Sequence, residues 1–361
     1  YQQADRLYLN NGTNDPWNGV SGSNITPDLR NTTSVALGDV DGDGDLDIVV
    51  GNRNGQTNRL YLNNGTSDPW NGVSGSDITN DISDTNSIAL GDVDGDGDLD
   101  LVSGNWNQPN RLYLNNGTDS PWNNVSSTVI TTRSYKTQFV VLGDVDVDGD
   151  LDLVTGDYGH ANQLYLNNGT ADPWDGVEGS NITANSYSTT TVAMGDVDSD
   201  GDLDLIEGIV FRISQLYLNQ VYPSPVVGWA GMDINADAYN TLSVALGDLD
   251  GDGDLDVVAG NYRGQTNQLY LNNGTVTPFA GVMGTQISPD VQYTYSVALG
   301  DVDGDGDLDL VTGNAGQANR LYLNNGTVNP FVGVTGADIS VDMDWTVSVT
   351  FRAVMARILA D

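Results

Sequence analysis

Asp39-Val40-Asp41-Gly42-Asp43-Gly44-Asp45-Leu46-Asp47 sets a carboxylate at every second position of a run bounded by apolar residues. Ser34-Val35-Ala36-Leu37 leads into it and Leu46 to Val50 leads out, so the acidic run reads as the loop of a hairpin between two short strands. Further on, Arg59-Leu60-Tyr61-Leu62-Asn63 closes on Asn64-Gly65, a turn dipeptide, and a weaker strand is expected near Ile78. The acidic block occurs six times, with its first Asp at Asp39, Asp92, Asp144, Asp196, Asp248 and Asp301. Leu-Tyr-Leu-Asn occurs seven times, beginning at Leu7, Leu60, Leu112, Leu164, Leu216, Leu269 and Leu321, at spacings of 53, 52, 52, 52, 53 and 52 residues.

A fixed period over the whole chain means one repeating architecture. Apolar runs of strand length lie between Gly, Asn and Asp clusters, and no repeat sustains a helical period. Four strands in a unit of about 50 residues make the blade of a β-propeller. A parallel β-helix has shorter coils and needs no such hairpins. The chain opens at the third strand of a blade, while Thr346 to Asp361 aligns with the first two strands. The expectation is an all-β, seven-bladed propeller occupying residues 1–361, closed by a composite blade of roughly 345–361 plus 1–30. Phe351 to Ala360 replaces the expected acidic block, so the seventh loop is expected to bind no ion.

In the first loop, carboxylates stand at positions 1, 3, 5 and 9, glycine stands at position 6, and Asp45 at position 7 offers a backbone carbonyl. Hard oxygen donors at alternate positions around a glycine turn are the ligand order of a calcium loop. Strands replace the helices of an EF-hand and no glutamate stands at position 12, so Asp47 is expected to close the site. The candidate ligands are Asp39, Asp41, Asp43, Asp45 and Asp47, then Asp92, Asp94, Asp96, Asp98 and Asp100. Asp144, Asp146, Asp148, Asp150 and Asp152 follow, with Asp196, Asp198, Asp200, Asp202 and Asp204. Asp248, Asp250, Asp252, Asp254 and Asp256, and Asp301, Asp303, Asp305, Asp307 and Asp309, complete the set. Like charges about 4 Å apart repel by roughly 4 kcal/mol at an effective dielectric near 20, so a metal-free loop resists its own hairpin. Six structural Ca²⁺ ions are expected, and magnesium, which keeps its waters, suits the loops less well.

Fifty acidic residues against 12 basic ones give a net charge of −38, which argues against nucleic-acid binding. There is no cysteine, hence no disulfide or thiolate metal site. No apolar run is long enough for a membrane helix, so no membrane insertion is expected.

Val35-Ala36-Leu37-Gly38-Asp39-Val40-Asp41-Gly42-Asp43-Gly44-Asp45-Leu46-Asp47, followed by Leu60-Tyr61-Leu62-Asn63-Asn64-Gly65, resembles the FG-GAP/VCBS repeat of the calcium-bearing blades in the integrin α-subunit head. The resemblance runs over nearly the full chain. It implies a seven-bladed propeller whose calcium loops join the first two strands of a blade, on the face opposite the usual ligand surface. It carries over the calcium residues and not the ligand.

The opposite face is then lined by second-to-third-strand hairpin tips, carrying Arg53, Trp106, Tyr158, Phe211 and Tyr262, and by inter-blade connections. The connections carry Arg30, Tyr135, Lys136, Tyr187, Tyr239, Tyr293 and Trp345. Aromatic and cationic side chains on loops over a rigid scaffold suit recognition of a carbohydrate or a protein. Tyrosines at half-buried strand ends are the plainer reading of the same residues. A second aromatic series, Trp17, Trp70, Trp122, Trp174, Phe279 and Phe331, follows the scaffold period and reads as packing between blades, the pattern breaking at Val226 with Trp229 nearby. Sequons such as Asn11-Gly12-Thr13 read as turns. With His160 the sole histidine and no nucleophile or phosphate-loop motif, a non-catalytic module is expected, secreted or at the cell surface and monomeric. A polysaccharide-active lyase or hydrolase, and a structural spacer of a larger surface protein, are the alternatives.

Overall fold

Thr32–Gly38 and Asp47–Asn52 run antiparallel either side of the first acidic loop, with Gly38 opposite Asp47 and Val35 opposite Val50. Arg59–Tyr61 and then Ser76–Asp77 add to the same sheet in chain order, so one repeat folds into a four-stranded meander. The computed structural model describes residues 4–131, 133–182, 186–221, 227–234, 239–339 and 345–350. Within them the meander recurs as blades 2 to 6, from first strands Thr85–Gly91, Thr137–Gly143, Thr189–Gly195, Thr241–Gly247 and Thr294–Gly300. The protein is an all-β propeller of four-stranded blades, and no helix occurs among the described residues.

Of the seven expected blades, the described residues complete six as four-stranded sheets, and one further sheet has two strands. In the latter, Arg6–Leu7 pairs with Ser23–Asn24 as a third strand pairs with a fourth. Trp345 bridges to Ala315 and the Thr346 amide donates to the Asn314 carbonyl at 3.1 Å, but 345–350 forms no ladder. The expected departure at Phe351 to Ala360, and the pattern break at Val226, lie outside the described residues.

Each core lies between neighbouring blades rather than inside one. Val49, Leu60 and Ile78 of blade 1 pack against Ile88, Leu101, Tyr113 and Trp122 of blade 2. A buried side chain of this size contributes about 1.5–3 kcal/mol, so the seams hold the ring together. The periodic Trp and Phe series belongs to these seams: Trp70, Trp122, Trp174, Phe279 and Phe331 are buried. Trp122 donates its indole N–H to the Tyr113 carbonyl of its own blade at 3.1 Å. The N-terminal sheet enters the same pattern. Tyr8 and Trp17 pack on Val302 and Leu321 of blade 6, and Leu7 and Ile25 on Ile48 and Val50 of blade 1.

The asparagine that ends Leu-Tyr-Leu-Asn ties one blade to the last. Asn115 Nδ2 donates to the Val40 carbonyl in the preceding blade's acidic loop at 2.8 Å, and Asn167, Asn219, Asn272 and Asn324 do the same to Val93, Val145, Val197 and Leu249. Asn10 of the N-terminal sheet reaches Val302 at 2.6 Å. The next asparagine makes the turn. Asn64 Nδ2 donates to the Asp68 and Asn71 carbonyls while its Oδ1 accepts the Thr66 amide and hydroxyl, so the sequon amide is committed to the fold. Blade 4 departs: Gln220-Val221 stands where Asn-Gly would, and its outer strands lengthen into a hairpin of Gln215–Val221 and Val227–Asp233.

Blade 3 carries an acid where blades 1, 2, 5 and 6 carry Asn52, Asn105, Asn261 and Asn314 at the end of the second strand. Asp157 is fully buried and accepts hydrogen bonds from Thr137 Oγ1 (2.7 Å) and Thr155 Oγ1 (2.9 Å). Burial pushes its pKa up despite those bonds. A folded-state pKa above the unfolded one contributes stability at low pH that is lost as the pH rises through the folded value. Asp157→Asn should therefore stabilise the protein at neutral pH by about 1 kcal/mol, one buried hydrogen bond, and the gain should vanish below about pH 3.9. Urea unfolding at the two pH values measures this.

Candidate metal centres

Each acidic loop is wound around its first carboxylate. Asp39 Oδ1 accepts the Gly42 amide and Oδ2 the Gly44 amide, both at 2.9 Å, and the pattern recurs at Asp92, Asp248 and Asp301. The fourth position then takes φ of +75° at Gly42, and the sixth +94° at Gly44. Loop 3 has Val147 at that fourth position with φ of +61°, and loop 4 has Ser199 with +59°. A β-branched residue in the left-handed region is strained. Val147→Gly is expected to raise stability by about 1–2 kcal/mol, read as a higher thermal midpoint.

The winding brings acids from different positions together. Oxygens of Asp144, Asp146 and Asp152 lie within 4.8 Å of one another, as do those of Asp196, Asp198 and Asp204, and of Asp248, Asp250 and Asp256. In loops 1 and 2 the close groups are Asp39, Asp41 and Asp43, and Asp92, Asp94 and Asp96. The seventh-position acids stand apart from these named groups. The carboxylates of Asp45, Asp98, Asp150, Asp254 and Asp307 abut Gly65, Gly117, Gly169, Gly274 and Gly326 of the Asn-Gly turns, where a Cβ would lie 2.5–3.2 Å from the oxygen. That placement leaves position 7 its backbone carbonyl as a donor.

Position 9 has a second task that its spacing does not reveal. Asp47 is fully buried, its Oδ2 accepting the Val40 amide at 3.1 Å and its Oδ1 the Asn63 amide at 2.8 Å. It thus clasps the acidic loop to the end of the third strand. Asp100, Asp152, Asp204, Asp256 and Asp309 make the same pair of bonds. Burial pushes these carboxyls up, to about 6 for Asp47, Asp152 and Asp309 and about 7 for Asp100, Asp204 and Asp256. The two backbone bonds oppose the shift and the other acids of the loop add to it. At position 3, burial and the neighbouring acids likewise raise Asp146, Asp198 and Asp250.

The residues fit a hard divalent cation. Asp146 Oδ1, Asp198 Oδ1 and Asp250 Oδ1 are buried without a hydrogen-bond partner. A buried carboxylate oxygen among other carboxylates, with no donor, is costly unless a cation meets it. All the side-chain donors are oxygens, the set calcium takes.

The hairpin tips lie at the other end of the second strand, six residues long in Asp47–Asn52, so about 20 Å from the acidic loop. There the connections meet the tips, as in the antiparallel bridges Trp106 to Lys136 and Arg212 to Tyr239. Trp106 and Tyr158 lie 5.8 Å apart between ring centroids with their planes tilted by 51°, and Tyr135 lies 5.0 Å from His160. Tyr187 carries Arg212 at 4.7 Å, and Phe211 carries Arg263 at 5.1 Å. Tyr262 touches Tyr293 and Tyr295, and Tyr295 touches Trp345. The candidate ligand residues are therefore brought together as a series of local clusters. Tyr295 and the cations Arg212 and Arg263 join them; the cations became recognisable only once each tip was seen beside its connection.

The description "FG-GAP-like repeat" fits residues 1–50, 39–103, 92–155, 144–206 and 248–312, passing over the altered hairpin of blade 4. Cartilage acidic protein 1 of Xenopus tropicalis is 28% identical over 183 residues, covering 48% of this chain and 28% of that protein. Integrin alpha-PS2 of Drosophila melanogaster is 37% identical over 82 residues, covering 22% of this chain and 6% of that protein. The chain thus spans less than a third of these relatives' length. Among solved structures, an Agrocybe aegerita lectin described as recognising non-reducing terminal N-acetylglucosamine shares the fold, with a TM-score of 0.61 at 16% identity over 96% of this chain and 92% of that one. On the loops, the blades and these matches together, the chain belongs to the FG-GAP-like repeat family.

Proposed function

We propose that the chain is a non-catalytic binding module, a calcium-stabilised propeller that works outside the cell and meets its ligand on the face opposite the acidic loops. The observation that carries this reading is the division of labour between the two ends of each second strand. At one end, carboxylates converge with buried oxygens lacking donors, which supports six structural Ca²⁺ sites formed by positions 1, 3, 5 and 9 with the carbonyl at 7. At the other, large side chains stand in solvent: Phe211 is 62% exposed, Trp345 50%, Tyr293 44% and Tyr158 36%. Calcium supplies charge neutralisation and cross-linking of the loop, while the chain's own residues supply the recognition surface. A carbohydrate is the proposed ligand, because rings at separate tips offer flat apolar faces for sugar stacking.

The same reading takes residues 4–25 and 345–350 as parts of a seventh, composite blade. Its support is that Asn10 repeats the inter-blade tie to Val302, and that the Val349 amide meets Ser296 Oγ at 3.1 Å as the Ile88 amide meets Ser34 Oγ at 3.2 Å. A glycan array probed with the calcium-loaded chain tests the function. Binding lost on Trp106→Ala or Tyr262→Ala is expected, and silence across the array would overturn the carbohydrate reading.

A further inference from the structure

The positive charges among the described residues are not all held in the same way. Arginines on the third strands are neutralised by aspartates: Arg59 by Asp28 (3.0 Å) and Asp77 (2.8 Å), Arg111 by Asp81 (3.7 Å), Arg320 by Asp290 and Asp338 (3.1 Å each). The cations at the tips are held differently. Arg53 lies over Trp106 at 5.6 Å from the ring centroid, and Lys136 Nζ lies 5.3 Å from the same ring and 6.0 Å from Tyr158. Among the described residues, neither is within salt-bridge distance of a carboxylate, in a chain with 50 acids. Asp84 is the acid that faces Arg53, and its Oδ1 accepts the Asn54 amide at 2.7 Å. Arg53 is also partly desolvated, which pushes its pKa down.

From this geometry we infer that Arg53, Trp106, Lys136 and Tyr158, on the tips and connection of blades 1 to 3, form a subsite for an acidic sugar. The inference rests on the proposed binding function and specifies its ligand class. The exposed ring of Tyr158 supplies the apolar face for a pyranose, and the two cations held over the adjoining Trp106 ring stand beside it to receive a carboxylate or sulfate. A neutral sugar would use the ring and leave both cations without an anion.

The net charge of −38 does not forbid this. The acidic loops lie about 20 Å away along the second strand, two to three Debye lengths at physiological salt, so their charge is largely screened at the subsite.

Isothermal titration of the full chain in millimolar calcium tests the inference with four probes. These are a galacturonate hexamer, a chondroitin sulfate hexamer, cellohexaose and a hexaglutamate peptide. An acidic hexamer should bind at least about tenfold more tightly than cellohexaose. Lys136→Gln and Arg53→Gln should each weaken it about tenfold at unchanged thermal midpoint, while Arg320→Gln, whose charge Asp290 and Asp338 already neutralise, leaves it unaltered. The galacturonate and chondroitin arms tell carboxylate from sulfate, and binding of either supports the subsite. Equal binding of cellohexaose would overturn the acidic specificity while leaving a carbohydrate-binding function standing. Hexaglutamate binding as tightly as the sugars would overturn the sugar assignment. Failure of both acidic hexamers, alongside hits on a neutral glycan array, would overturn this subsite alone.

Discussion

Removing calcium at pH 8 should take away most of the protein's stability. Sites with dissociation constants near 10⁻⁴ M, bathed in about 1 mM calcium, contribute about 1.4 kcal/mol each. Six such sites sum to about 8 kcal/mol, against about 5–15 kcal/mol for a whole domain. The pH dependence should then reverse with the metal. In chelator, the position-9 carboxyls titrate at about 6 to 7 because burial and neighbouring acids hold them there. These values lie above the unfolded value near 3.9, so their contribution is fully present in acid and lost as the pH climbs through about 6–7. The metal-free chain should melt higher at pH 5 than at pH 8, and the calcium-loaded chain should do the opposite, since the ion needs ionised ligands. Thermal midpoints at both pH values, with calcium and with EGTA, decide it. A midpoint at pH 8 that ignores EGTA would dispose of the calcium reading.

Within one loop, two acids proposed as ligands of the same ion should differ sharply on substitution. Asp152→Asn in saturating calcium should cost about 3–5 kcal/mol, and Asp146→Asn no more than about 1.4 kcal/mol. Asp146 has an oxygen without a hydrogen-bond partner, so its loss is felt through the ion. Asp152 holds the Val145 amide at 2.9 Å and the Asn167 amide at 2.7 Å in a fully buried position. An asparagine offers one oxygen there and turns its NH₂ toward the other amide, leaving a buried donor facing a donor. Urea unfolding of the two variants measures the difference. Equal destabilisation would mean that the clasp contributes nothing beyond the metal.

The blades were legible because their signals are local. Asp39 to Asp47 states a hairpin within ten residues and Asn64-Gly65 a turn, and both appear as read. The Trp122 series was also placed correctly between blades, since its period follows the scaffold. What the sequence concealed depends on partners a blade away. Asp47 looked like a metal ligand alone because the amides of Val40 and Asn63 that it holds become neighbours only when the sheet forms. Asn115 reads as the end of a Leu-Tyr-Leu-Asn strand, whereas its amide reaches back to Val40, 75 residues earlier. That Arg53 and Lys136 meet over Trp106 was hidden for the same reason. Arg53 and Lys136 come from different blades, and no spacing within a single repeat brings them to one ring.

The asparagine tie also bears on how such a chain lengthens. Each blade carries one half of a seam on its Leu-Tyr-Leu-Asn strand and the complementary half in its acidic loop, and the 2.8 Å bond is the same at five successive seams. A duplicated repeat therefore arrives already cut to fit the copies on either side, with no compensating change needed in its neighbours. Unequal recombination between near-identical units adds or removes whole blades at little structural penalty. The number of blades is then limited by the wedge angle at which the ring closes, rather than by the chemistry of any one joint.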